Sequence, residues 1–441
     1  RTLKQHVIAL AVASAFMVAA SPSAHASAFA LAEQGVSGLG NAYAGAAAVA
    51  EDASTVWWNP AGMSRLPSGK HLLVGGHLII PSTEFNNRAS VIATGSNATR
   101  TGDGGDAGDA TLVPNVFFAM DLNPSWSFGV GVNVPFGLAT KYDATWIGRF
   151  HGIDSEVMTL NVNPSLSFKL NSRASIGFGL NYQRGEIDLL SAVNFGALIP
   201  GTEGLNRTSV DGDAWGFNVG ALFDVTPATR LGIHYRSALD YEMDGTTSFS
   251  GVPAPLLANP LIAAGTSTGS VELDLETPAT LSFSAAHRLN DRLELLGDIT
   301  WTEWSKIDRL PLRRTSGPAT GTTLDTLTFN FDDTWRVAIG ANYKWDGPWT
   351  LRAGVAFDQS PVPNAETRSV RLPDNDRYWF SLGATYQMSR SGRIDVGYTF
   401  VNIKDADINN NQQAGTFPRG IVNGTYEATV NILSVQYQHS F

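Results

Sequence analysis

Strict alternation over Glu156–Leu170 constrains this chain more than any other feature. Met158, Leu160, Val162, Leu166, Phe168 and Leu170 fall on one face, and Thr159, Asn161, Asn163, Ser165, Ser167 and Lys169 on the other. Strand side chains point to opposite faces in turn, so this segment divides an apolar medium from a polar one. After the turn Asn171-Ser172-Arg173 the pattern resumes, with Ile176, Phe178, Leu180 and Tyr182 set against Ser175, Gly177, Gly179, Asn181 and Gln183. The same period returns around Trp215–Phe223, Leu231–Tyr235, Leu281–Ala285, Leu293–Trp301, Trp335–Tyr343, Trp349–Phe357, Tyr378–Tyr386 and Ile394–Phe400. Earlier candidates are His71–Ile80, Leu112–Leu122 and Trp126–Pro135, and the last strand runs Thr425–Phe441. The total is about 14 strands, an even number as expected of a single-chain bacterial barrel.

Composition agrees with a wall facing lipid. Only 16% of residues are charged, against about 25% in ordinary globular chains. Mean hydropathy is near zero, so apolar residues are interleaved with polar ones and not gathered into runs. Beyond residue 26 no stretch has the length and apolarity of a transmembrane helix, which leaves a closed β-barrel as the way to cross a membrane. Residues 1–26 read as an export signal: Arg1 and Lys4, an apolar Val7–Ala20, then Ala24-His25-Ala26, making Ser27 the expected mature N-terminus. Taking those two basic residues from 30 leaves 28 against 40 acidic ones, net −12, which argues against nucleic acid as a partner.

Connections alternate in length. Short turns stand at Asn123-Pro124, Asn171-Ser172, Thr226–Ala228, Asn290-Asp291, Asp346–Pro348 and Ser389–Gly392. Long polar loops are expected at Ser82–Thr111, Gly137–Ser155, Ser191–Ser209, Gly245–Ser270, Ile307–Thr322, Ser360–Pro373 and Lys404–Gly424. Short periplasmic turns with long external loops are the outer-membrane arrangement, and the aromatic end at Phe441 suits its periplasmic girdle.

A 14-stranded lumen is too wide to be filled by its own wall, so something must occupy it. Residues 27–66, rich in Gly and Ala and ending in Asn59-Pro60-Ala61, are expected to form that hatch inside a barrel of residues 67–441. A corked barrel excludes general diffusion and suits hydrophobic cargo. Phe29, Leu31, Val56 and Trp57 are the candidate apolar pocket, although packing of the hatch on the wall would use the same residues. Lys306 and Arg309 are candidates to meet a carboxylate head group. Alternation turns Arg236, Lys306, Arg336, Arg352 and Arg377 inward, where Asp224, Glu272, Asp274, Asp298 and Asp395 are expected as their partners. There is no Gly-x-Ser-x-Gly and no His-Glu-x-x-His, so no catalytic residue, cofactor or metal site is expected, and the acidic run Asp103–Asp109 lacks EF-hand spacing.

Gly38-Leu39-Gly40, Ala42-Tyr43-Ala44-Gly45, Glu51-Asp52-Ala53 and Asn59-Pro60-Ala61 resemble the start of the long-chain fatty acid transporter family of outer-membrane proteins. This FadL-like family includes toluene and xylene uptake proteins. Similar segments follow in order, among them Arg336–Gly340, Phe357–Pro363 and Pro373–Arg377. The resemblance implies a monomeric, non-enzymatic, 14-stranded barrel among outer-membrane lipids and lipopolysaccharide. It also implies uptake of hydrophobic compounds and sideways exit at a kinked third strand. Here that strand is Ser127–Gly137, where Gly129, Gly131, Asn133, Pro135 and Gly137 weaken the ladder, or merely serve barrel curvature. Cargo is expected to be a long-chain fatty acid, with uncharged aromatic or alkane hydrocarbons as the alternative, and a lipase or a solute-selective porin as rivals.

Overall fold

The computed structural model describes residues 28–441, so the export signal expected over 1–26 lies outside the described residues. Fourteen antiparallel strands form one sheet. They are β1 (Lys70–Asn87), β2 (Thr111–Asp121), β3 (Trp126–Asn133 and Gly137–Lys141), β4 (Asp154–Lys169), β5 (Ala174–Asn194) and β6 (Glu203–Thr226). Then come β7 (Thr229–Arg236 and Leu239–Ser250), β8 (Gly269–Thr277 and Thr280–Arg288), β9 (Leu293–Thr302 and Arg309–Arg314) and β10 (Thr323–Thr328 and Thr334–Lys344). The last four are β11 (Trp349–Asp358), β12 (Arg377–Gln387), β13 (Gly392–Gln412) and β14 (Gly420–Ser440). Pairing of β1 with β14, from His71 opposite Ser440 to Asn87 opposite Gly424, closes the ring. Among the described residues no helix is long and apolar enough to cross a membrane, so crossing falls to the strands.

The alternation is realised as read. Leu160, Leu166, Phe178, Leu180, Trp215 and Phe217 are exposed on the outside, while Asn161, Asn163, Ser165, Ser167, Asn181 and Gln183 are buried within. Two features differ from the sequence reading. Strands run well past the apolar belt: β5 reaches Asn194, β13 reaches Gln412, and Arg309–Arg314 is strand where a loop was expected. Hydrogen bonding continues into water after the apolar signal has ended, so alternation marks the membrane and not the end of the sheet.

The polarity of the two faces also inverts above the belt. Along the outside of β5, Ile176, Phe178 and Leu180 give way to Arg184 and Glu186; along the inside, Asn181 and Gln183 give way to Ile187 and Leu189. In β7 and β8 the inversion is made by slipping one residue. Gly232, His234 and Arg236 face in, then after Ser237-Ala238 it is Leu239, Tyr241 and Met243. The partner strand breaks at the same level, Pro278-Ala279, and turns Val271, Leu273 and Leu275 inward. A one-residue slip exchanges faces, so Glu272 and Asp274, expected inside, point outward.

Residues 28–66 lie against the inner wall. Three short helices, α1 (Val36–Leu39), α2 (Ala46–Val49) and α3 (Thr55–Trp58), precede a 3-10 turn at Pro60–Arg65. The fit is backbone to backbone at small inward residues: a Cβ on Gly177 would meet Ala61 N at 2.2 Å, and one on Gly354 would meet Asn41 O at 2.1 Å. Gly354→Val is therefore expected to push this segment off β11 while leaving the ladder intact. The check is higher single-channel conductance in planar bilayers from a variant that keeps the heat-modifiable gel mobility of a folded barrel.

Candidate functional site

Asn59-Pro60-Ala61 works as an anchor. Asn59 Nδ2 donates to the Ala47 carbonyl (2.7 Å) and to the Ala221 carbonyl of β6 (3.1 Å), while Asn59 Oδ1 accepts from Ala61 N (3.1 Å). Ala61 O in turn accepts from Ser167 and Ser175 at 3.1 and 3.0 Å. On the far side of the lumen, Arg352 grips Glu51 through two 2.8 Å bonds and Arg393 meets Asp52 at 2.9 Å. Burial raises the Asp52 carboxyl, but Arg393 and hydrogen bonds from Ser54 and Ser37 outweigh it and hold the group below the usual carboxylate range.

The third strand is interrupted between Asn133 and Gly137. Pairing of β2 with β3 ends at Val116 opposite Val132, so the outer part of β3 has no partner on β2. Pro114, which sequence reading passed over, sits on the β2 side of this opening and brings no N–H to it. Residues 29–34 take up the bonds. Leu31 N donates to Pro135 O, Gly137 N donates to Phe29 O, both at 2.8 Å, and Ala30 bridges Phe136. Gln34 Nε2 donates to Val134 O at 2.7 Å, and Asn133 Nδ2 donates to Gln34 Oε1 at 2.6 Å. Within intact β3, Gly129 and Gly131 make room for Val56, Met63 and Phe117, and Gly137 faces Leu31.

Behind the break lies a cavity of about 150 Å³. Leu31, Trp57, Pro135, Phe136 and Trp304 line it together with Arg236, Arg336, Asp298 and Asp358. Of the expected pocket residues, Leu31 and Trp57 reach it; Phe29 lies behind, tilted against Phe136 and edge-on to Trp304 at 5.6 and 5.1 Å between ring centroids, and Val56 packs below with Met63 and Phe117. Lys306 and Arg309 do not reach it. Both are exposed, because the single helical turn Trp304–Lys306 buries Trp304 and swings Lys306 outward to Glu276, 3.2 Å away. The cavity's cations come instead from β7 and β10. Arg236 Nη2 donates to Trp57 O at 2.9 Å and its guanidinium lies 3.4 Å from the Trp57 ring centroid. Arg336 donates to Ala42 O at 2.8 Å.

Above the cavity the inverted faces supply an apolar interior of Leu239, Tyr241, Met243, Val271, Leu273 and Leu310, continuous with Phe29 and Phe136. A larger space of about 610 Å³ opens at the loop end, bordered by Phe249, Leu261, Ile262, Leu324 and Phe417 with Arg314 and Arg419. The acidic run is spent on turn geometry: Asp106 accepts from Ser82 Oγ, Thr83 N and Gly108 N. Among the described residues no cluster of three metal-ligating side chains occurs.

An apolar-belted closed barrel with an apolar inner path defines an outer-membrane transport barrel. The chain matches the family model "Outer membrane protein transport protein (OMPP1/FadL/TodX)" over residues 17–441, and it belongs to that family. It is 32% identical over 419 residues to the long-chain fatty acid transport protein of Salmonella typhi, covering 91% of this chain and 92% of that one. It is 32% identical to the 47 kDa outer membrane protein of Pasteurella multocida, covering 98% and 97%. A Pseudomonas aeruginosa FadL homologue superposes with a TM-score of 0.86 at 28% identity, covering 94% and 100%. The toluene transporter TodX of Pseudomonas putida shares the fold, with a TM-score of 0.70 at 18% identity over 94% and 100%. The protein is a transport barrel of the outer membrane, and its family consists of transporters and not enzymes.

Glu33, beside Gln34, is buried and neither carboxyl oxygen accepts a hydrogen bond from a side chain. Burial pushes it up to about 7, against a hydrogen bond from the backbone at Glu33 itself and the pull of Arg377 and Arg336. A folded value above the ordinary 4.5 means that the seated segment favours the proton. That stability is fully present below about pH 4.5 and is lost as pH rises to about 7, on the order of 3 kcal/mol over the window. Amide exchange over residues 29–36, corrected for intrinsic rate, is expected to be faster at pH 7.5 than at pH 5, and Glu33→Gln to abolish the difference. Asp52, with its lowered value, does not titrate in that window.

Proposed function

We propose that this protein carries long-chain fatty acids inward across the outer membrane. Residues 27–66 act as a hatch in a wall of residues 67–441, and cargo leaves sideways between β2 and β3. One observation carries the reading: the cavity combines the buried Arg236 and the half-buried Arg336 with an apolar path and abuts a place where the wall's ladder is open. An aliphatic tail gains about 0.8 kcal/mol for each methylene it buries on such a path, and a carboxylate gains a cation at its end. The names of the relatives at about 30% identity support the same cargo. The barrel works as a monomer, with its exposed belt against outer-membrane lipid and its loops among lipopolysaccharide.

A second reading is favoured by size alone. A cavity of about 150 Å³ equals an engineered one that holds benzene, so a monoaromatic hydrocarbon would fit without displacing any segment. Competition separates the two: excess toluene is expected to leave oleate uptake into reconstituted vesicles unchanged within twofold, and full inhibition would favour hydrocarbons.

The lateral route has its own test, helped by the absence of native cysteine. Ala30 and Phe136 are bridge partners, so Ala30→Cys with Phe136→Cys should form a disulfide that holds the hatch's start in the break. Oxidation is expected to reduce uptake at least tenfold and reduction to restore it. Undiminished uptake by the oxidised form would reject passage between β2 and β3.

A further inference from the structure

The lipid-facing side of the wall carries a groove that the inner path does not use. It is a space of about 780 Å³ on the outside of β9–β13. Register places Leu295, Ala341, Ala353 and Leu382 in one row across β9, β10, β11 and β12. The two alanines form the floor, and Leu295 and Leu382 stand on either side. One row nearer the loops, the exposed Ile339, Val355 and Phe380 rise above that floor and form the upper end of the groove.

Depth assigns the groove to one leaflet. Lys344 ends β10 at a periplasmic turn, five residues below Ile339. At about 3.4 Å per residue that is about 17 Å along the strand, and a tilt of about 40° leaves about 13 Å of depth. A hydrocarbon core is about 30 Å thick, so the groove lies in the inner-leaflet half. The exposed Tyr343, Trp349 and Tyr386 mark the boundary beneath it. Just beyond them, the three turns under the groove hold the exposed cations Arg288, Arg292, Lys344 and Arg390, against the exposed acids Asp291 and Asp346. Arg292 is tied to the lipid-facing side, since it donates to the Tyr343 hydroxyl and meets Asp346 at 3.2 Å. Its carbonyl accepts from Lys344 N at 2.8 Å, which holds the two turns together. Above the belt the wall has the opposite sign, with Asp240, Glu242, Asp244 and Asp274 exposed on the outside of β7 and β8.

We infer that this face binds one anionic glycerophospholipid of the inner leaflet, with an acyl chain along the groove and the phosphate at Arg292 and Lys344. The groove is continuous with the lipid-facing belt, so its neighbour is hydrocarbon. Leaving water contributes nothing there, and what is retained is whatever packs best, because an unfilled gap forfeits its contacts. A flexible chain fills a furrow floored by alanine. The head group is selected by charge. Four cations against two acids favour a phosphodiester of net negative charge over a zwitterion, whose ammonium would meet the same cations. Nothing in this assignment depends on what the lumen carries.

The test uses the full-length protein in detergent, titrated with palmitoyl-oleoyl phosphatidylglycerol or with phosphatidylethanolamine of the same chains. Bound lipid is counted by native mass spectrometry. One phosphatidylglycerol is expected to stay bound, at least about fivefold more tightly than phosphatidylethanolamine. Arg292→Gln, at an exposed turn, should weaken phosphatidylglycerol about fivefold and leave phosphatidylethanolamine unchanged. Ala341→Leu with Ala353→Leu raises the floor from outside and should weaken both lipids severalfold, in protein that keeps the heat-modifiable gel mobility of a folded barrel. If that pair does not fold, the Arg292→Gln comparison decides alone. Equal retention of the two lipids by the unaltered protein, or no effect of Arg292→Gln, would overturn the head-group assignment. Unchanged retention with the floor raised would overturn the seat. A dimer that dissociates when the floor is raised would overturn the lipid and give the face to a second copy.

Discussion

In hydrocarbon every backbone N–H and C=O must find a partner within the protein, and the rest of the molecule follows from how this chain meets that demand. Closure of β1 on β14 removes the sheet's edges. The exception is the outer part of β3, where pairing with β2 stops and the chain's own first described residues supply the missing bonds. At that point the wall is completed by a segment of the inner plug and not by a neighbouring strand. The sealing residues also line the cavity, so occupancy and closure share the same atoms.

Anchoring is distributed unevenly along the inner segment. Asn59, Ala61, Glu51 and Asp52 are held by several well-formed bonds each. Glu33 instead carries a carboxylate with no side-chain partner, and Ala42 and Tyr43 adopt strained backbone. Residues 29–34 are nevertheless bonded to the wall at Asn133, Val134, Pro135 and Gly137, so what is uneven is the Glu33 carboxylate and not the seat at the break.

Much of the fold was legible because two-residue periodicity survives wherever lipid faces one side. The short turns were legible from Asn, Pro, Gly and Asp at their positions, whereas the third strand was singled out by the family resemblance, with Pro135 and its glycines only giving it a physical reason. Less legible was the interior. Leu231, Ile233, Tyr235, Leu239, Tyr241 and Met243 keep one parity in sequence, yet the slip at Ser237-Ala238 turns the second three to the opposite face. Periodicity cannot register a slip that leaves the apolar parity unchanged. Lys306 and Arg309 failed as cavity residues for a related reason, since one helical turn at Trp304–Lys306 rotates the frame. Glu33 is approached by Arg336 and Arg377 from the far end of the chain, and no local pattern brings those together.

The exchange of polarity along β5 has a further meaning. Where Leu180 yields to Arg184 on the outside and Gln183 to Ile187 on the inside, greasy surface passes from the exterior of the cylinder to its interior within a single hydrogen-bonded ribbon. The strand thereby carries a gauge of bilayer thickness written into its own side chains. Within the bore the apolar lining therefore sits above the level of the outer apolar belt, and the wall beside that belt is polar on its inner face.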